Sequence, residues 1–103
     1  MVGADTVPKK LGSHSLKTGT MTVDRKYPQK ISTSGKIFAV IVNEVVNNGT
    51  PTSVSPYWDG EKICYNSGGW THVYATIEND RKSVTFRNTQ DDAKTLDYAI
   101  FYE

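Results

Sequence analysis

The stretch Lys36-Ile-Phe-Ala-Val-Ile-Val-Asn-Glu-Val-Val46 decides the fold. It contains no Gly or Pro and is rich in β-branched residues, which suit a pleated backbone. Under the two-residue period of a strand, Ile37, Ala39, Ile41 and Val45 share one face. Phe38, Val40, Val42 and Val46 share the other. A strand that is apolar on both faces needs cover on both. The stretch therefore predicts a central strand. Each covering layer must come from the rest of the chain or from another chain.

Shorter, half-polar segments surround it. Thr18-Gly-Thr-Met-Thr-Val-Asp24 alternates, with Met21 and Val23 inward. Arg25-Lys-Tyr-Pro28 breaks it, because Pro lacks a donor and restricts Tyr27. A short pairing piece over residues 29–33 and a Ser34-Gly35 turn lead into the central strand. Asn47-Asn-Gly-Thr-Pro51 is a turn cluster. Residues 52–57 are weakly extended, and Pro56 places them at an edge. The turn Trp58-Asp-Gly-Glu61 joins them in a hairpin with Lys62-Ile-Cys-Tyr65. Asn66-Ser-Gly-Gly69 is a further turn. Val73, Ala75 and Ile77 then point inward from one strand, and Val84 and Phe86 from the next. Ser83, Thr85 and Arg87 point outward. In the last strand Leu96, Tyr98, Ile100 and Tyr102 share a face. Residues 1–16 show no period and read as a flexible arm or linker, leaving 17–103 as the folded domain. Short strands with turns roughly every 8 to 12 residues predict an all-β fold, an antiparallel β-sandwich of about seven or eight strands.

Composition bears on how such a fold closes. The chain has 103 residues, one domain's worth, and an apolar content of 37%. A core this lean is completed by disulfides, a metal or association. Cys64 is the single cysteine, so an internal disulfide is excluded. The two histidines and one cysteine lack the spacing of a zinc site, and no metal or other cofactor is expected. Association is the favoured route and a homo-oligomer is expected; the alternative is a compact β-sandwich that folds alone at this size. Twelve basic and eleven acidic residues are evenly spread, for a net charge of +1. Without a basic run, nucleic acid is not an expected partner. No segment approaches the ~20 apolar residues that would insert in a membrane, and the N-terminus lacks a signal-peptide core.

Catalytic signatures are missing: no nucleophile elbow, no HExxH helix and no Ser-His-Asp order. Asp91 with Asp97 or Glu103 is the best carboxylate pair on offer, so a non-enzyme is expected. The aromatic group is more informative. Tyr57, Trp58, Tyr65, Trp70, His72 and Tyr74 are interleaved with Asp59, Asn66 and Ser67. Aromatic rings stack on the C–H face of a sugar, while its hydroxyls seek Asp, Asn and backbone groups. Trp58, Asp59, Trp70, His72 and Arg81 are the candidate ligand contacts. Each Trp taken singly reads equally as an end cap of the sandwich or as interface filling. Arg81 and Arg87 could hydrogen-bond hydroxyls or acidic sugars.

The run Val73-Tyr-Ala-Thr-Ile-Glu-Asn, Val84-Thr-Phe-Arg-Asn and Leu96-Asp-Tyr-Ala-Ile-Phe-Tyr-Glu103 resembles the last three strands of H-type lectin-like domains and of the receptor-binding heads of bacteriophage tail fibres. Tyr98 stands where those closing strands often carry Trp. The resemblance implies trimers, or larger rings such as hexamers, that bind cell-surface glycan near subunit boundaries on a virion tail or outside the cell. The alternative expectation is a structural subunit that caps or joins an assembly and binds no glycan.

Overall fold

The computed structural model describes residues 14–45, 53–65 and 72–103. These form nine strands and no helix: β1 (Ser15–Val23), β2 (Gln29–Ser32), β3 (Ile37–Glu44), β4 (Ser53–Val54), β5 (Pro56–Trp58), β6 (Ile63–Tyr65), β7 (Val73–Ile77), β8 (Ser83–Asn88) and β9 (Lys94–Tyr102). Two sheets stack, with strand orders β1-β9-β3-β5-β6 and β2-β8-β7-β4. The pairings are antiparallel except for the short parallel contact of β4 with β7. The expected sandwich is what the chain builds. β1 begins at Ser15, inside the stretch expected to be an arm. The turns read at 47–51 and 66–69, and the residues Val46 and Trp70, lie outside the described residues.

β3 is central, between β9 and β5, but its faces are not the two that strict alternation gives. Ile37 opposes Tyr102 and Ala39 opposes Phe101, so Phe38 is an extra residue in a β-bulge. The bulge moves Ile37 onto the inner face with Val40 and Val42, where all three are buried. It turns Phe38 outward, against the rings of Phe101 (6.2 Å) and His14 (4.6 Å). The inner face packs against the other sheet. On the outer face Ile41 and Val45 remain half exposed, at 51% and 52%. One side of the central strand is thus covered by the opposite sheet, and the other is partly exposed, most at Ile41 and Val45.

The core lies between the sheets. Val23, Ile37, Val40, Val42, Leu96 and Ile100 meet Val73, Ala75, Ile77, Val84 and Phe86 there. Tyr98 leans across from β9 to Phe86, at 5.3 Å between ring centroids. Opposite Tyr98 stands Gly19, whose missing side chain leaves room for the phenol. A Cβ at Gly19 would lie 2.5 Å from the Tyr98 hydroxyl oxygen.

Two sequence expectations need correction. Residues 52–57 do not form one edge strand. The chain changes sheets at Ser55, with β4 at the edge of one sheet and β5 inside the other. Pro56, expected to mark an edge, is fully buried inside the five-stranded sheet. The Ser55 hydroxyl accepts from the Val42 N–H (3.0 Å), standing in for a ladder carbonyl where the strand jumps. On β8, Ser83 and Thr85 face outward as expected yet are buried. β2 and β7 flank them on both sides, and Thr85 sits between Lys30 and Thr76.

Replacing Gly19 by Ala forces the Tyr98 ring off Phe86. The expected cost is about 1–3 kcal/mol, the usual penalty for overpacking. Urea unfolding of the variant reads it directly. A second replacement, Tyr98→Phe, removes the atom in closest conflict and is expected to recover part of the loss.

Candidate functional site

The five contacts expected from sequence do not form one site. Trp58, Asp59 and Arg81 meet at one end of the sandwich. His72 lies at the other end, and Trp70 is outside the described residues. The separation follows β3: Ile37 touches Arg81 and Glu44 touches His72. Seven residues of strand at ~3.3 Å each put the two ends roughly 20 Å apart.

At the first end, Asn79 and Asp80 turn the chain between β7 and β8. Arg81 follows with φ 59°, in the left-handed region. This backbone is costly for a side-chain-bearing residue, and the surroundings hold it in place. The Arg81 N–H donates to the Glu78 carbonyl (2.8 Å), and its own carbonyl accepts from Ile37 N–H (2.6 Å). The side-chain Nε donates back to the Ile37 carbonyl (2.9 Å). The guanidinium then lies over Trp58, 4.1 Å from the ring centroid, a cation–π contact. Arg81 therefore clasps the start of β3 and covers one face of the indole.

Asp59 is likewise engaged. Oδ1 accepts from the N–H groups of Glu61 and Lys62, both at 2.8 Å. Oδ2 accepts from the Cys64 thiol at 3.4 Å and pairs with the Lys62 ammonium at 3.3 Å. Gly60 takes φ 105°, which the tight turn needs and other residues resist. The Lys62 N–H, then that of Glu61, hold the Asp59 carboxyl well below the usual carboxylate range. In return the hydrogen bond to Asp59 raises the Lys62 ammonium. Asp59 closes the β5–β6 hairpin with the acceptor atoms that a sugar would have used.

At the second end, Glu44 is nearly buried, 3% exposed, on the inner face after Val40 and Val42. His72 Nδ1 lies 2.9 Å from its Oε1. A hydrogen bond between this ring nitrogen and the carboxyl oxygen fixes the ring's orientation. The pair ties the end of β3 to the start of β7, across the two sheets. Sequence reading selected His72 but not Glu44. The available signal was its position: Glu44 holds the same parity as Val40 and Val42, so an acidic residue there needed a partner.

The acidic residues weighed for catalysis are spread apart. Asp91 pairs with Arg25 at 2.6 Å, and Asp97 accepts from the Thr20 hydroxyl at 2.6 Å. Among the described residues no three His, Cys, Asp or Glu side chains cluster as metal ligands would.

Losing His72 removes a hydrogen bond from the buried Glu44 carboxyl. His72→Ala is expected to lower stability by about 1–3 kcal/mol, measured by urea titration. Adding Glu44→Leu should recover much of it; an equally unstable double variant would count against the pairing. Asp59 gives a pH signature. Its folded pKa is depressed, so its contribution is complete above the ordinary carboxylate value of about 4. That contribution is lost progressively as pH falls below this value. Asp59→Asn is therefore expected to flatten the acid side of the stability–pH curve and leave its neutral-to-basic side parallel to the parent's.

No protein-family model, no curated protein and no solved structure matches the chain.

Proposed function

We propose that this domain is a non-catalytic subunit that works as a homo-oligomer, its copies meeting on the outer face of the five-stranded sheet. The observation that carries this reading is one cross-strand row. Leu16, Phe101, Ala39 and Tyr57 stand side by side on β1, β9, β3 and β5, with Cys64 next on β6. Thr18, Ala99 and Ile41 form the next row. Leu16 (58%), Ile41 and Tyr57 are exposed. Asp97 is the one carboxylate at the outward positions of β1, β9 and β3, and it is hydrogen-bonded within the sheet. Beside Tyr57 and Cys64, Asp59 is paired with Lys62, so the charges near this face are few and partnered, and interface centres are depleted in charge.

Size sets a condition on this assembly. The five strands, of 9, 9, 8, 3 and 3 residues, cover roughly 500 Å² in projection at ~3.3 Å per residue and ~4.8 Å between strands. A standard interface takes about 800 Å² from each partner. The sheet face supplies the centre, and β1, an edge strand among the described residues, extends it. The resemblance of the closing strands favours a trimer.

Within this reading, the receptor-binding form is a lectin-like or tail-fibre-like head that recognises cell-surface glycan. Its support is the half-buried Trp58 beside the Arg81 guanidinium, an aromatic and donor pair at one end of the sandwich.

Light scattering separates these statements. The parent protein is expected at a multiple of the single-chain mass, and Ile41→Lys at the mass of one chain with an unchanged circular dichroism spectrum. A monomeric parent at high concentration would sink the assembly. On a glycan array, binding by the parent that disappears in Trp58→Ala supports the receptor-binding form. No binding by an intact oligomer leaves the joining subunit.

A further inference from the structure

A different feature lies on the other sheet, at the His72 end. Tyr74 and Arg87 face each other directly across β7 and β8. Together with Arg25 and Pro28, from the connection between β1 and β2, and with Asn88 and Thr89, they line a groove of about 280 Å³. Its frame is tied down. Asn88 is buried, and its Nδ2 donates to the carbonyls of Val23 (2.9 Å) and Asp92 (2.8 Å). Its Oδ1 accepts from Gln90 N–H at 2.8 Å. Thr89 N–H donates to the His72 carbonyl at 2.8 Å. One guanidinium nitrogen of Arg25 is held by Asp91, which leaves the rest of its five donors for other acceptors. Arg87 is exposed and makes no ion pair among the described residues.

Two guanidinium groups lining one groove repel each other unless an anion lies between them. The planar fork of each matches a carboxylate or a sulfate. Between them the groove offers a tyrosine ring and a proline, both apolar walls. The volume is just below the usual range of about 300–1,000 Å³ for ligand pockets, which suits one ring-sized unit rather than a long chain. We propose that this groove binds an acidic saccharide unit, its carboxylate or sulfate held by Arg25 and Arg87 and its ring face against Tyr74 and Pro28. Asp91 opposes an anion, but it is 93% exposed and well screened. The site is on the opposite sheet from the assembly face and at the opposite end from Trp58, so its success or failure is independent of both.

The test is titration calorimetry on the full chain with four probes: trigalacturonate, a sulfated heparin disaccharide, maltotriose and sodium sulfate. At least one acidic saccharide is expected to bind, more weakly as salt is raised. Arg87→Ala is expected to weaken that binding about tenfold or more, with melting temperature and oligomer mass unchanged because Arg87 is exposed. The probe that binds identifies the acidic group. Four outcomes would overturn the proposal: no binding by either acidic saccharide, equal binding of maltotriose, equal binding of sodium sulfate, or an Arg87→Ala protein that binds as the parent does.

Discussion

Both backbone polar groups of Ile37 are tied to Arg81: the N–H to its carbonyl and the carbonyl to its side chain. This clasp sits where Phe38 interrupts the ladder between β3 and β9. A bulge leaves backbone groups without their ladder partners, and buried ones must be satisfied elsewhere. Arg81 satisfies them from the opposite sheet. The bulge then sets the parity of everything downstream on β3. Because side chains alternate, a shift of one residue exchanges the two faces of a strand. With the bulge in place, Val40, Val42 and Glu44 go inward and Ala39, Ile41 and Val45 outward.

Two features of the molecule descend from that choice. The first is the partly exposed apolar face. Phe38 joins Phe101 and Ile41 outside, rather than the core. The second is the buried carboxylate. Glu44 is carried between the sheets, where His72 meets it and links the far ends of β3 and β7. The sandwich is thus fastened across its two sheets at both ends of one strand: by an arginine on an indole and a backbone at one, and by an imidazole on a carboxylate at the other. Both fastenings use residues that, read singly, look like ligand contacts.

Much of the fold is legible in the chain because period-2 alternation is a local property. Val73, Ala75 and Ile77, or Leu96 and Ile100, declare their inner face without reference to any partner. What alternation misses is where the ladder slips. Nothing local to Ile37 and Phe38 marks the bulge, since both residues are apolar; it depends on Arg81, distant in sequence. The sheet change at Ser55 is hidden for the same reason, and Pro56 there suggested an edge when it marked a crossing. The candidate site was legible only in part. Trp58 and Asp59 are neighbours in the chain, and Arg81 reaches them through the fold. His72 was grouped with them by closeness in sequence, yet β7 carries it to the opposite end. Tyr74 and Arg87 are each recognisable as outward residues, but Arg25 joins their groove only because the β1–β2 connection folds over β8.

The place of β9 between β1 and β3 has a consequence for biosynthesis. β9 leaves the ribosome after both of its neighbours. Until it does, β1 has no strand to pair with, and β3 lacks one of its two. The other sheet is less delayed, since its ladders run between residues 29 and 88. Pairing Val23 with Lys94 closes a large loop, and topologies with such distant contacts fold slowly. For that interval a nascent chain carries the apolar ribbon of β3 in an incomplete five-stranded sheet, a state open to mispairing. The composition of β1 suits the wait. Thr18, Thr20 and Thr22 alternate through it, and Lys17 supplies a charge, so this long strand stays soluble while it has no neighbour.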